Sequence, residues 1–250
     1  MIFFDVGGTL LQVSPSVGHI YADACAAQGA EVDPSRLQRA FDDAWVSLSA
    51  EVPFGRDRYS LYDDGETGWW KRVCERAFDA CGVGLPRRPP VEQLRAVFAR
   101  PGTWHVYPET RAVLTALKQT GYRLGIISNW DSRLPALLAA LGLAEFFDCL
   151  VHSAGVRREK PHPAIFARAV EQMGVEASRC VHIGDRLDED YVGARAFGLD
   201  ALLLARRGRD PELGREVERW GNRSDLVGDL REALGRIVVR PAEKSSPPRC

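Results

Sequence analysis

The stretch Ile2-Phe3-Phe4-Asp5-Val6-Gly7-Gly8-Thr9 opens the chain with a short apolar run, an aspartate and a glycine pair. An apolar run closed at once by turn residues reads as a buried strand, with the acid where the strand stops. Four more apolar runs follow in the second half: Leu124-Gly125-Ile126-Ile127, the Phe146-to-Val151 region, Cys180-Val181-His182-Ile183 and Ala201-Leu202-Leu203-Leu204. Helical patterns separate them, at about 108–120, 132–141, 162–173 and 189–197. These patterns end at Gly121, Gly142, Gly174 and Gly198, the residue type that suits a left-handed helix stop.

Repeated helix–strand units with continuous apolar strands predict an α/β fold: a Rossmann-like, doubly wound parallel sheet with helices on both faces. Between the first strand and the rest lies a different rhythm. Val17, Ile20, Tyr21, Ala24, then Leu37, Ala40, Phe41, Ala44, Trp45, then Trp69, Trp70, Val73, Ala77 recur at helical spacing. No β-branched strand run interrupts them, so an all-helical inserted cap is expected over 13–105, with the core made of 1–12 and 106–240. The segment from Pro211 to Val239 is expected to add two helices, and 241–250 reads as a disordered tail.

Composition narrows the class. Over 250 residues, 45% are hydrophobic and 27% charged, which fits a soluble globular chain and excludes disorder. No apolar run approaches the length of a membrane span, and the amino end lacks a basic region ahead of its apolar one, unlike a signal peptide. The net charge of −1 gives no basic excess for nucleic acid. Arginine supplies nearly all the positive charge; the lysines are Lys71, Lys118, Lys160 and Lys244. Six cysteines without a CxxC pair suggest reduced thiols and a cytoplasmic protein.

In open α/β sheets ligands bind beyond the carboxyl ends of the strands. Asp5 with Gly7-Gly8-Thr9, Ser128-Asn129, Lys160-Pro161, and Gly184-Asp185 with Asp188, Glu189 and Asp190 all fall there. Carboxylates around one crevice suit a hard divalent ion such as Mg²⁺. Lys160 and Ser128 suit the oxygens of an anion.

These segments, in this order, resemble the haloacid dehalogenase (HAD) superfamily. Asp5-Val6-Gly7-Gly8-Thr9-Leu10 is similar to its first motif, Ile126-Ile127-Ser128-Asn129 to the second, Glu159-Lys160-Pro161-His162-Pro163 to the third, and Gly184-Asp185 through Asp190 to the fourth. Trp69-Trp70 and Ser128-Asn129-Trp130-Asp131 also resemble the subgroup of haloacid dehalogenase-like hydrolase domain-containing proteins. The resemblance implies a hydrolase acting on a small phosphorylated metabolite, with Asp5 as nucleophile. It implies Mg²⁺ held by Asp5, the Gly7 carbonyl and Asp185, with Asp190 or Glu189 in support. Ser128, Lys160, Thr9 and Asn129 would bind the phosphoryl group or substrate.

The sequence departs from that pattern at one point. Phosphatases of the superfamily carry a second aspartate where this chain has Gly7, and that residue protonates the leaving group. General acid–base catalysis contributes roughly 10²–10⁴-fold, so slow turnover and a preference for good leaving groups are expected, and Gly7→Asp is expected to raise turnover. Two alternatives stand: a non-catalytic binding or regulatory protein on the same scaffold, and a metal-independent 2-haloacid dehalogenase, although Gly184-Asp185 and Gly7 depart from the dehalogenase pattern.

Plainer readings accompany the motif residues. Asn129 and Asp131 can cap a helix, Asp188 suits a helix first turn, and Trp69 and Trp70 suit the cap interior. His182 reads as a packed strand residue, Arg157 and Arg158 as a solvated loop, and the cysteines as small buried apolar residues.

Overall fold

The computed structural model describes residues 1–206 and 225–239. The chain opens with strand β1 (Ile2–Phe4), turns, and enters β2 (Leu11–Val13). Helices α1 (Val17–Ala26), α2 (Pro34–Ala50), α3 (Glu66–Ala80) and α4 (Val91–Phe98) follow before β3 (Trp104–Val106). The remainder alternates: α5 (Thr110–Gln119), β4 (Leu124–Ser128), α6 (Leu134–Ala140), β5 (Cys149–His152), α7 (Ser153–Val156), α8 (Pro163–Met173), β6 (Val181–Gly184), α9 (Gly193–Phe197), β7 (Asp200–Leu204), β8 (Leu226–Val227) and α10 (Leu230–Val239).

Six strands form one parallel sheet in the order β5-β4-β1-β6-β7-β8. Its faces divide by the two-residue strand period. Ile2 and Phe4 join Leu114, Leu117, Leu138 and Ala233 on one side. Phe3 joins Ile165, Phe166 and Ala169 on the other. Helices therefore cover both faces, and the α/β, Rossmann-like expectation holds.

Register decides where the site lies. Phe4 sits opposite Ile126 of β4 and Ile183 of β6. Asp5, Ser128 and Asp185 thus project just past one row of the sheet. Because β1 has later strands on both flanks, this is a topological switch point, the position where open α/β sheets bind ligands.

The structure corrects the sequence reading in three places. Trp104-His105, taken as the end of the helical block, belongs to β3, which pairs antiparallel with β2 (Leu11 opposite Val106, Val13 opposite Trp104). A two-stranded ribbon therefore joins the helical insertion to the sheet. Leu226–Val227, within a stretch read as helical, adds a strand beside β7. The segment Leu187–Val192, read partly as ordinary helix, winds as a wider π-helix before α9. Residues 207–224, which include the first helix expected after Pro211, and the expected tail at 241–250 lie outside the described residues.

Candidate active site

Asp5 leaves β1 with its backbone N–H bonded to Ile183 O (2.9 Å). The turn beyond it is closed by Gly8, whose φ of 79° is one that glycine alone adopts freely. Asp5 Oδ1 accepts hydrogen bonds from Ser128 Oγ (2.8 Å) and Lys160 Nζ (2.8 Å). Its Oδ2 has no hydrogen-bond partner among the described residues, and Asp5 lines a cavity of about 220 Å³ together with Gly7, Gly8, Ser128, Asn129 and Asp185.

Lys160 is almost completely buried. Its ammonium spends its donors on Asp5, Ile127 O (3.0 Å) and Asp190. Burial works against this charge, but Asp190, Asp5 and Glu189 raise the lysine's pKa above its ordinary value. Burial alone would raise Asp190 too; Lys160 and His182 instead hold it well below the usual carboxylate range. His182 is fully buried and its pKa is lowered by that burial, so it sits neutral with Nε2 donating to Asp190 Oδ1 (2.9 Å). The other Asp190 oxygen accepts from Arg186 N (2.9 Å). Gly184 leaves the room for this: a Cβ there would lie 2.1 Å from Asp190 Cγ.

Several expected ligand residues prove to hold other residues. Thr9 is fully buried and donates to Asp185 Oδ1 (3.2 Å), so it orients that carboxylate and offers no surface to a phosphate. Asn129 lines the cavity but commits both ends of its amide: Oδ1 accepts from Lys160 N (2.7 Å), while Nδ2 donates to Lys160 O and Glu189 Oε2 (both 3.0 Å). It brackets the lysine. Asp190 lies with Asp5 and Asp185 in a cluster in which one carboxylate oxygen from each is within 4.8 Å of the others, yet both of its oxygens are already engaged. Burial raises the pKa of Glu189, which also lines the cavity.

The donor set suits a hard cation. Asp5, buried, and Asp185, half-buried, offer the oxygen ligands that Mg²⁺ prefers, with the engaged Asp190 beside them. The Gly7 backbone lines the same cavity.

Trp45, Arg58, Trp130 and Arg186 complete the lining and were not singled out from the sequence as site residues. Trp130 bears on the missing acid: a Cβ on Gly7 would lie 3.2 Å from its Cζ3. The indole crowds the space that an aspartate side chain would enter. Arg58 comes from the insertion and pairs with Glu159 next to the site lysine (2.8 Å). A second cavity of about 220 Å³ is lined by Tyr21, Phe41, Trp70 and Phe98 of the insertion, and none of Asp5, Ser128, Lys160 and Asp185 lines it. Trp69 is fully buried in the insertion, whereas Trp70 Nε1 reaches out to Asp131 Oδ2 (2.8 Å).

A sequence model of the haloacid dehalogenase-like hydrolase family matches residues 1–198. The chain belongs to this family. Among curated relatives, haloacid dehalogenase-like hydrolase domain-containing protein 3 of Danio rerio is 34% identical, covering 82% of this chain and 85% of that protein. The glyceraldehyde 3-phosphate phosphatase of Methanothermobacter thermautotrophicus is 39% identical over 130 residues, 50% of this chain and 55% of that one. Among solved structures, the L-2-haloacid dehalogenase of Xanthobacter autotrophicus with chloropropionic acid covalently bound superposes with a TM-score of 0.68 at 21% identity, covering 96% and 98% of the two chains. That likeness speaks to the fold alone. Among the described residues of this hydrolase no helix is long and apolar enough to cross a membrane.

Asp57, beside Arg58, yields a prediction about stability. It is buried, its Oδ1 has no partner, and burial with the nearby Glu159 pushes its pKa up to about 6. A carboxyl whose folded pKa lies above its unfolded one binds more protons when folded, so stability falls as pH rises from about 4 to 6. Each unit is worth about 1.4 kcal/mol. Asp57→Asn is therefore expected to stabilise the protein by about 1–3 kcal/mol at pH 8 and to lose that advantage near pH 4. Thermal melts at the two pH values check this; a pH-independent difference contradicts it.

Proposed function

We propose that this hydrolase is a Mg²⁺-dependent phosphohydrolase acting on a small phosphorylated metabolite, with Asp5 as nucleophile. The observation that carries the reading is the Asp5 carboxylate: Ser128 and Lys160 hold one oxygen, while the other has no partner at the cavity that Asp5 lines. The match to a relative named as a phosphatase over half of the chain supports the same reading.

In this mechanism Asp5 Oδ2 attacks phosphorus, the bond to the leaving oxygen breaks, and water then hydrolyses the aspartyl phosphate. Mg²⁺ held by Asp5, Asp185 and the Gly7 backbone, with Asp190 close by, would offset the negative charge of the phosphoryl oxygens. Lys160 and Ser128 keep the nucleophile's carboxylate aligned, and the lysine's positive charge, its three donors engaged, stabilises the transferring group through space. Asp190, His182 and Asn129 position Lys160. Thr9 positions Asp185.

Nothing at position 7 protonates the leaving group, so acyl and aryl phosphates should outrun alkyl phosphates. Phosphate release across such a panel, with and without Mg²⁺, tests the reading. Turnover that needs the metal supports it. Silence on every phosphate, with halide released from a 2-haloacid without metal, would replace it with the dehalogenase alternative; silence on both would favour a binding protein.

The crowding by Trp130 refines the expectation for position 7. Gly7→Asp alone must displace the indole, whereas Gly7→Asp with Trp130→Ala has room for the carboxyl. The double variant is expected to hydrolyse alkyl phosphates about 10²-fold faster than Trp130→Ala alone, the lower end of what general acid–base catalysis supplies, and the single variant to gain less. Steady-state rates on one alkyl ester check both. No gain in a folded, metal-binding double variant counts against the missing acid as the cause of slow turnover.

A further inference from the structure

The cavity at Asp5 contains a cation that the chemistry above does not use. Arg58 comes from the short segment between α2 and α3, lines the cavity, and is only 5% exposed. Its guanidinium carbon lies 4.7 Å from the ring centroid of Trp45 and 5.2 Å from that of Trp69. Nε donates to Glu159 Oε2 (2.8 Å) and Nη1 to Ser49 Oγ (3.3 Å). Nη2 has no hydrogen-bond partner among the described residues, and it is not one of the enclosed polar atoms left without one. Stacking and two hydrogen bonds therefore hold this planar fork rigid while one arm stays unspent. That arm is the hydrogen-bonding capacity Arg58 has left for a ligand in the cavity it lines. Arg186 lines the same cavity from the opposite part of the chain, and its side chain is exposed.

Charge decides which ligand fits. Asp5, Asp185 and Glu189 line the cavity, so a substrate tail entering it meets carboxylates unless it reaches a cation. A neutral apolar tail leaves Nη2 unsatisfied, a loss that buried donors feel strongly. A carboxylate or second phosphate on the tail pairs with a pre-set guanidinium arm at little ordering cost. The volume, about 220 Å³, lies below the range usual for drug-sized ligands, so the ligand is short.

We infer that the cavity takes a short substrate that is anionic at both ends, with the phosphoryl group at Asp5 and Lys160 and the second anionic group on Arg58 Nη2. This rests on the phosphohydrolase reading for the first end. Arg58 is then the residue that selects the tail.

Non-hydrolysable phosphonates separate the two claims. Calorimetric affinities in Mg²⁺ buffer are compared for propylphosphonate, 3-phosphonopropionate and propane-1,3-bisphosphonate, the last two distinguishing carboxylate from phosphate as the second anion. The wild-type protein is expected to bind at least one charged-tail ligand about tenfold or more tightly than propylphosphonate, as a charge-assisted hydrogen bond predicts. That ratio should collapse to about twofold or less in Arg58→Gln and be partly kept in Arg58→Lys. Because Arg58→Gln strands Glu159, the pair Arg58→Gln with Glu159→Gln provides a charge-balanced variant with the same expected collapse. Equal affinity for all three ligands, or a preference that survives both glutamine variants, overturns the two-ended site and leaves the phosphohydrolase reading standing. Failure of all three to bind overturns both.

Discussion

Asp5→Asn is expected to lower phosphate release by about 10⁴–10⁶-fold, as loss of a nucleophile does in other covalent mechanisms, while the protein stays folded. The fold is expected to survive because an asparagine oxygen can still accept from Ser128 Oγ and Lys160 Nζ, the two bonds that fix Asp5 Oδ1. Lys160 also keeps Asp190 as a charged partner. What disappears is the negative oxygen that can bond to phosphorus, since an amide is not a nucleophile of that kind. Single-turnover phosphate release and thermal melts of the same preparation check both halves of the expectation. A folded Asp5→Asn protein within tenfold of wild-type turnover would remove Asp5 from the mechanism and with it the covalent route.

Much of this site was legible in the sequence, for a reason that lies in the fold. Parallel strands buried on both faces must be continuous apolar runs, and such runs stand out; residues at their ends then fall on one edge of the sheet. Asp5, Ser128 and Asp185 could be brought together that way without coordinates, whereas Lys160, which lies beyond α7 and just before α8, came from its resemblance to the third motif. Other features carried no such signal. Leu226–Val227 is two residues long and has no period to read. Trp104-His105-Val106 is a three-residue strand whose pairing with β2 spans the whole insertion. Arg58 lies in a short 3₁₀ turn among polar residues, where nothing in the pattern marks a residue that packs on Trp45 and reaches Glu159 across 101 positions. Thr9 and Asn129 illustrate a subtler difference: their presence near the site was legible, but which neighbour consumes their hydrogen bonds depends on ångström-scale geometry.

The second large effect concerns Lys160, whose two carboxylate partners make it the electrostatic centre of the site. Lys160→Met is expected to abolish turnover and also to destabilise the fold by about 3–5 kcal/mol, because it leaves Asp5 and Asp190 without their buried counter-charge. For a chain of this size that corresponds to a melting temperature lower by roughly 6–20 °C. Adding Asp190→Asn to Lys160→Met removes one of the stranded charges, so the double variant is expected to be more stable than Lys160→Met alone by about 1–3 kcal/mol, the usual range for coupled neighbours, yet equally inactive. The pH dependence follows from the two shifts. A depressed Asp190 contributes stability that is present above the ordinary carboxylate pKa and lost only as the pH falls through its lower folded value. A raised Lys160 contributes stability that is full below the ordinary lysine pKa and lost as the pH rises past its higher folded value. Between about pH 5 and 9 both contributions are constant in the wild type, whereas in Lys160→Met burial pushes the stranded Asp190 carboxyl up. The deficit should therefore be smallest near about pH 4 and grow as the pH rises. Denaturant melts of the four proteins in the Lys160–Asp190 cycle measure the coupling directly. Additive losses would mean that the lysine and Asp190 do not depend on each other, and that Asp190 has a separate task in the crevice.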